Sequence, residues 1–124
     1  MLNRAFFRAR GVKFGSNMTV FGSIKVINKG SITIGDNFMF VSGEHINPIC
    51  SNLQGSISVG IEGEIRIGNK VGMSSTRMII HNKLTIGNNV LIGGFCLFMD
   101  TDYHQLNYLE RRQGGGPIAS APIT

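Results

Sequence analysis

The sequence predicts an all-β prism of stacked triangular coils, each about 18 residues long, with strands running parallel from coil to coil. Three observations predict it. A short unit recurs along the chain, reading apolar, x, apolar, Gly, polar, polar, apolar, x, apolar. Glycine is abundant, at 17 of 124 residues, about twice its usual share. Charged residues make up only 15% and apolar residues 42%, so the chain has a core to bury and too little charge for a disordered segment.

The elements follow in order. Residues 1–11 form an N-terminal cap segment with three arginines, Arg4, Arg8 and Arg10. It is read as a short helix over the first coil, with Phe6 and Phe7 covering the end of the core. Residues 12–124 form one repeat domain. The units are 12–20, 32–40, 65–73 and 84–92, with glycines at Gly15, Gly35, Gly68 and Gly87. The glycines are 20, 33 and 19 residues apart. These intervals are read as one coil, two coils and one coil. That puts a missing unit near 49–53, blurred by Pro48 and Cys50.

The physics of the unit is direct. Apolar residues at alternate positions make short strands with one face inward. Gly followed by Asn or Asp supplies a tight turn, because these residues tolerate positive φ at low cost. Three such sides close a coil, and each coil depends on its neighbours. A helical fold is disfavoured, since glycine weakens every turn. A β-sandwich is the competing architecture, but it does not generate this period.

Composition excludes several function classes. The glycines are not spaced every third residue, so collagen is out. The longest near-apolar run, 90–99, is far short of the roughly 20 residues that span a bilayer. No apolar stretch of signal-peptide length begins the chain. A cytoplasmic protein with no membrane span is expected. Cys50 and Cys96 fit neither a disulfide framework nor a zinc ligand set. The net charge is +5, yet six of the twelve basic residues precede the first acid, Asp36. Such an end attracts phosphates, nucleic acid or an anionic membrane surface, or serves only solubility. No nucleic-acid motif accompanies it, so a nucleic-acid partner is not expected.

After Met99 the period stops. The stretch near 100–118 is polar, aromatic and irregular, and is read as an extruded loop. It holds Asp102-Tyr103-His104, Arg111 and Arg112, then a hinge of Gly114-Gly115-Gly116-Pro117. Ala121-Pro122-Ile123-Thr124 reads as the repeat starting again. The repeat, covering roughly 12–124, resembles the hexapeptide-repeat acyltransferases, which fold as left-handed parallel β-helices. Asp102-Tyr103-His104 with Arg111, the glycines and Ala-Pro-Ile-Thr resembles the active-site loop of the sugar and xenobiotic O-acetyltransferases of that class. The resemblance implies an acetyl transfer from acetyl-CoA to a hydroxyl of a sugar or glycan precursor, with His104 as general base. Imidazole suits that role, because it titrates near neutral pH. Asp102 or a backbone carbonyl orients it. Tyr103 and Arg111 are candidate substrate contacts, and Arg111 or Arg112 is a candidate partner for Asp102 or for a substrate acid. The family commonly carries an acceptor-binding asparagine about one and a half coils earlier. Here the stretch is Gly72-Met73-Ser74-Ser75-Thr76, which makes Ser74 and Ser75 either its replacements or ordinary corner residues.

The resemblance further implies a homotrimer with sites between subunits. Against that family the C-terminus looks truncated, without the usual last coils that help hold coenzyme A. A fragment, a natural truncation and a surface supplied by a neighbouring subunit are the three readings. Two function classes stay open: the acetyltransferase, and a non-catalytic β-helix for assembly or binding. A metal enzyme built on His45, His81 and His104 is disfavoured, because the close histidine pair of the carbonic anhydrase relatives is missing. No metal is expected.

Overall fold

The structure, a computed structural model, describes residues 2–43, 46–50 and 53–124. Helix α1 (Leu2–Ala9) leads into four coils of three strands each. The first coil holds β1 (Lys13–Phe14), β2 (Thr19–Phe21) and β3 (Ile24–Asn28). The second holds β4 (Ser31–Ile34), β5 (Met39–Val41) and β6 (Gly55–Val59). The third holds β7 (Glu64–Ile67), β8 (Gly72–Ser74) and β9 (Arg77–Ile80). The fourth holds β10 (Lys83–Ile86), β11 (Leu91–Ile92) and β12 (Leu97–Met99). Corresponding strands pair in parallel into three four-stranded sheets: β1-β4-β7-β10, β2-β5-β8-β11 and β3-β6-β9-β12. The chain is a parallel β-helix with triangular coils.

Alternation fixes which residues face inward. Register stacks them into columns, one rung per coil. Phe14, Ile34, Ile67 and Ile86 form a column in the first sheet. Val20, Phe40, Met73 and Ile92 form one in the second. Val26, Ile57, Met78 and Phe98 form one in the third. Most of these side chains are buried, and full burial of such a side chain contributes about 1.5–3 kcal/mol of apolar transfer. The outward residues differ by sheet. The first sheet is polar, with Lys13, Thr33, Glu64, Arg66 and Thr85 facing out. The second and third expose Phe21, Met39 and Leu91, and Ile27, Leu97 and Met99.

Helix α1 closes the core at the first coil, as the sequence led us to expect. Phe7 is fully buried and Phe6 packs against the core cluster. The Phe7 ring stands edge-on to Phe14 at 6.5 Å. The Asn3 side chain donates to the Val20 carbonyl at 2.6 Å, which ties the helix to the second sheet.

The 33-residue interval is not two coils. Ile32 pairs directly with Ile65, and Ile34 with Ile67, so it is a single coil carrying an insertion. In sequence, 42–54 separate β5 from β6, where 22–23 and 75–76 suffice between the corresponding strands of the neighbouring coils. Of the unit expected near 49–53, residues 51–52 lie outside the described residues; among the described ones, Pro48–Cys50 is a short 3-10 turn with Cys50 buried, not a strand of the repeat. Ser42 holds the base of the insertion, donating to the Ser23 carbonyl at 2.6 Å and accepting from Gly55 N–H at 2.8 Å. The insertion length lies close to a missing coil, which is why spacing alone misled.

The corner between the first and second sheets is the most regular. Asn17, Asn37, Lys70 and Asn89 all take left-handed conformations there, with φ from 54° to 58°. Beside them runs a ladder of side-chain oxygens on backbone amides. Asp36 accepts from Ser16 N–H at 2.6 Å, Asn69 from Asp36 N–H at 2.8 Å, and Asn88 from Asn69 N–H at 2.7 Å. The Ser16 amide, followed by its hydroxyl, holds the Asp36 carboxyl below the usual aspartate range.

Candidate functional site

The irregular stretch leaves the prism at the corner between the third and first sheets, directly after β12. Thr101 and Ser120 form an antiparallel bridge. Asp102 N–H donates to the Ala119 carbonyl and Ala121 N–H to the Asp100 carbonyl, both at 3.0 Å. This narrow neck extrudes the loop, and the chain then returns to the first sheet. There Ile123 bridges Leu84 in parallel, continuing the column of Ile32, Ile65 and Leu84. The resumption read from Ala-Pro-Ile-Thr is therefore present.

The neck is anchored by a residue that the sequence reading passed over. Asp100 is 6% exposed. Its two carboxylate oxygens accept from the backbone N–H groups of His81, Asn82 and Lys83 at 2.8, 2.7 and 2.8 Å. Three donors on one acid offset the cost of burying it. Met99 pairs with Ile79, so Asp100 stands one position on, above Ile80 in an inward column. The available signal was phase: Phe98 and Asp100 continue the alternation that the apolar reading ended at Met99.

Tyr103 follows with φ 61°, an uncommon conformation for an aromatic residue. Its N–H donates to Thr101 Oγ1 at 3.2 Å. Its ring stands edge-on to His81, with centroids 5.3 Å apart. It also borders a cleft of about 190 Å3 on the third sheet, with Lys25, Ile27, Ser58 and Ile79. A larger cleft of about 610 Å3 runs along the same edge, lined by Lys29, Ser58, Ile61, Glu62 and His81. The start of the loop thus borders two neighbouring clefts, which share Ile27 and Ser58.

His104 and Asp102 are both exposed. Among the described residues the structure gives neither side chain a hydrogen bond, so no His104–Asp102 pair is formed. Catalytic hydrogen bonds are often unformed before substrate binds. Arg111 does not hold Asp102: its Nε donates to the Gln105 carbonyl at 2.9 Å. Gln105 in turn donates to the Gly116 carbonyl at 3.2 Å, so both brace the loop from within. Helix α2 (Tyr108–Gln113) fills the tip, capped by Asn107, whose side chain accepts from Leu109 N–H at 2.9 Å. Gly114, expected as part of a hinge, is its left-handed C-cap with φ 71°, the usual glycine stop for a helix.

Ser74 and Ser75 lie elsewhere, at the corner between the second and third sheets. Ser74 ends β8 and is half-buried. Ser75 is fully buried, has φ 41°, and its hydroxyl has no partner. As it stands it offers no group to a ligand. Within one chain the two serines and His104 occupy different edges of the prism.

Among the described residues no group of three or more His, Cys, Asp or Glu converges on a metal-sized site. His45 lies outside the described residues, so the three-histidine arrangement is not seen as a whole. Cys50 and Cys96 are free thiols. No helix is long and apolar enough to cross a membrane among the described residues. Compared with known proteins, the chain matches no family model, no curated protein and no solved structure.

Proposed function

We propose that the chain is an acetyl-CoA-dependent O-acetyltransferase acting on a hydroxyl of a sugar or glycan precursor. The observation that carries this reading is the loop after β12. A hydrogen-bonded neck and a left-handed, ring-anchored Tyr103 border a cleft on the edge of a β-helix, and the exposed His104 follows directly in the chain. Strain of this kind concentrates where a side chain must be aimed. The sequence around it resembles the O-acetyltransferase loop, and the resemblance supplies the reaction.

In that reaction His104 accepts the proton of the acceptor hydroxyl. The oxygen attacks the thioester carbonyl carbon of acetyl-CoA. The new C–O bond forms, the C–S bond breaks, and the proton passes to the departing sulfur. Tyr103 lines the acceptor end of the cleft, and Arg111, which braces the loop through the Gln105 carbonyl and is otherwise exposed, is the candidate second contact for the acceptor. Asp102 orients His104 once substrate is bound. The apolar outer faces of the second and third sheets support packing against further copies. A homotrimer is the assembly we infer, since it can bring the Ser74 edge of one copy to the His104 edge of another.

A second reading has its own support. The wide separation of Ser74 and Ser75 from His104 fits a β-helix that binds or assembles without chemistry. One experiment divides the two. Acetyl-CoA binding is measured by calorimetry, and thiol release is followed with a panel of hydroxyl acceptors. The enzyme reading expects binding in both the natural chain and His104→Ala, with turnover reduced roughly 10²- to 10⁴-fold in the variant. No acetyl-CoA binding, with oligomerisation intact in both forms, sinks the enzyme reading and leaves the module.

A further inference from the structure

The six basic residues before Asp36 are Arg4, Arg8, Arg10, Lys13, Lys25 and Lys29, and the remaining six are outnumbered by seven acids. The whole net charge of +5 therefore belongs to α1 and the first coil. Strands β1, β2 and β3 are the terminal strands of the three sheets, so this coil is one end of the prism. The charge is thus separated along the long axis and gathered around this end.

The side chains at this end are arranged rather than loose. The guanidinium groups of Arg4 and Arg8 lie over the Phe14 ring, 5.5 and 5.2 Å from its centroid. That of Arg10 lies 4.9 Å over Phe6 and donates to the Val26 carbonyl at 2.8 Å. These contacts hold three arginines in a rim around the cap. Lys13 on the first sheet, Lys25 on the third and Lys29 at the corner between them are all exposed. Phe21, at the same end, is 47% exposed.

We infer that this end of the prism is a docking surface for an anionic lipid bilayer. A ring of positive charges around one end, three of them held on aromatic rings, with an exposed phenylalanine beside it matches a negative surface with an apolar layer beneath its headgroups. A nucleic acid fits less well, because single strands need open aromatic faces beside the charge, and Phe6 and Phe14 are covered by guanidinium groups. End-on docking sets the neck of the extruded loop three coil spacings, about 14 Å, beyond the first coil. The inference does not rest on the acetyl-transfer reading, although Lys25 and Lys29 also border the clefts beside Tyr103 and His81.

The test is sedimentation with vesicles of phosphatidylcholine, with and without phosphatidylglycerol, at low and high salt. The full chain is expected to bind only the anionic vesicles, and to release them in high salt. The triple variant Lys13→Glu, Lys25→Glu, Lys29→Glu is expected to lose at least roughly tenfold in vesicle affinity. A charge-matched triple far from the end, Lys70→Glu, Arg77→Glu, Arg112→Glu, is expected to change it less than about twofold. Equal losses in both triples would mean that net charge alone acts, and would overturn the docking surface. So would failure to bind anionic vesicles, or tighter binding to duplex or single-stranded DNA that displaces them. Circular dichroism checks the fold of each variant. If the Glu triple does not fold, the same three lysines changed to Gln carry the test, with a proportionally smaller expected loss.

Discussion

Two corners of the prism solve the same turn by different means. The corner between the first and second sheets repeats one solution in all four coils: a left-handed Asn or Lys, with Asp or Asn side chains capping amides of the coil before. The corner between the third and first sheets in the last coil is made once. There Asp100 reaches back to three amides of the corner between β9 and β10 and the chain departs into the loop. The first kind of corner is cheap and modular, since each rung contributes a little. The second concentrates its stability in one residue, which frees the segment beyond it from the repeat. A solenoid that needs a site off its axis can obtain one by replacing a distributed corner with a single strong anchor.

The sharpest way to break this comparison is Asp100→Ala. It leaves three backbone donors without their acceptor in a buried place, and a loss of about 3 kcal/mol or more is expected in urea unfolding. A loss below about 1 kcal/mol, typical of one ordinary hydrogen bond, would mean that the anchor is not concentrated. The regular corner yields a paired test. A Cβ on Gly35 would meet the Gly68 backbone at 2.7 Å, whereas one on Gly87 meets nothing within 4 Å. Gly35→Ala is expected to cost about 2 kcal/mol by overpacking, and Gly87→Ala to stay within about 0.5 kcal/mol. Equal costs at the two positions would contradict the stacking register.

The smallest effect is one of pH. The Ser16 amide, then its hydroxyl, lower the Asp36 pKa from 3.8. The folded value lies below the unfolded one, so the contribution is present above the unfolded pKa and is lost as pH falls through the folded value. Asp36→Asn is therefore expected to flatten the acid limb of the stability profile. Some acid sensitivity remains in that variant, because Glu64 is also held low, by Arg66 first and Lys83 after it. An unchanged profile would mean that Ser16 and Asp36 are not coupled in solution.

The fold was legible because its determinants are local. Alternation and Gly-Asn turns specify each strand and corner without reference to distant residues, and Phe6 and Phe7 mark a cap by being apolar outside the repeat. The count of coils was less legible. An insertion such as 42–54 joins two ordinary strands, and length alone does not distinguish it from another coil. The loop was visible as a break in period, but its internal bracing was not. Arg111 holds Gln105 rather than Asp102 because the short helix α2 sets it within reach of the Gln105 carbonyl, and nothing in the spacing announces that helix beyond Asn107 and Gly114. Asp100 was hidden by its chemistry: an acid next to a polar stretch reads as solvent-facing unless its inward phase is followed one residue further.

The chain has two tyrosines and no tryptophan. Tyr108 is largely exposed on the loop helix, while Tyr103 is set edge-on against His81. Near-ultraviolet absorption and emission therefore originate almost wholly in the loop, and the asymmetric setting of one ring is determined by its neighbour imidazole. The protein carries its own optical reporter at the place where chemistry is proposed, so loop movement can be timed during mixing without attaching a dye.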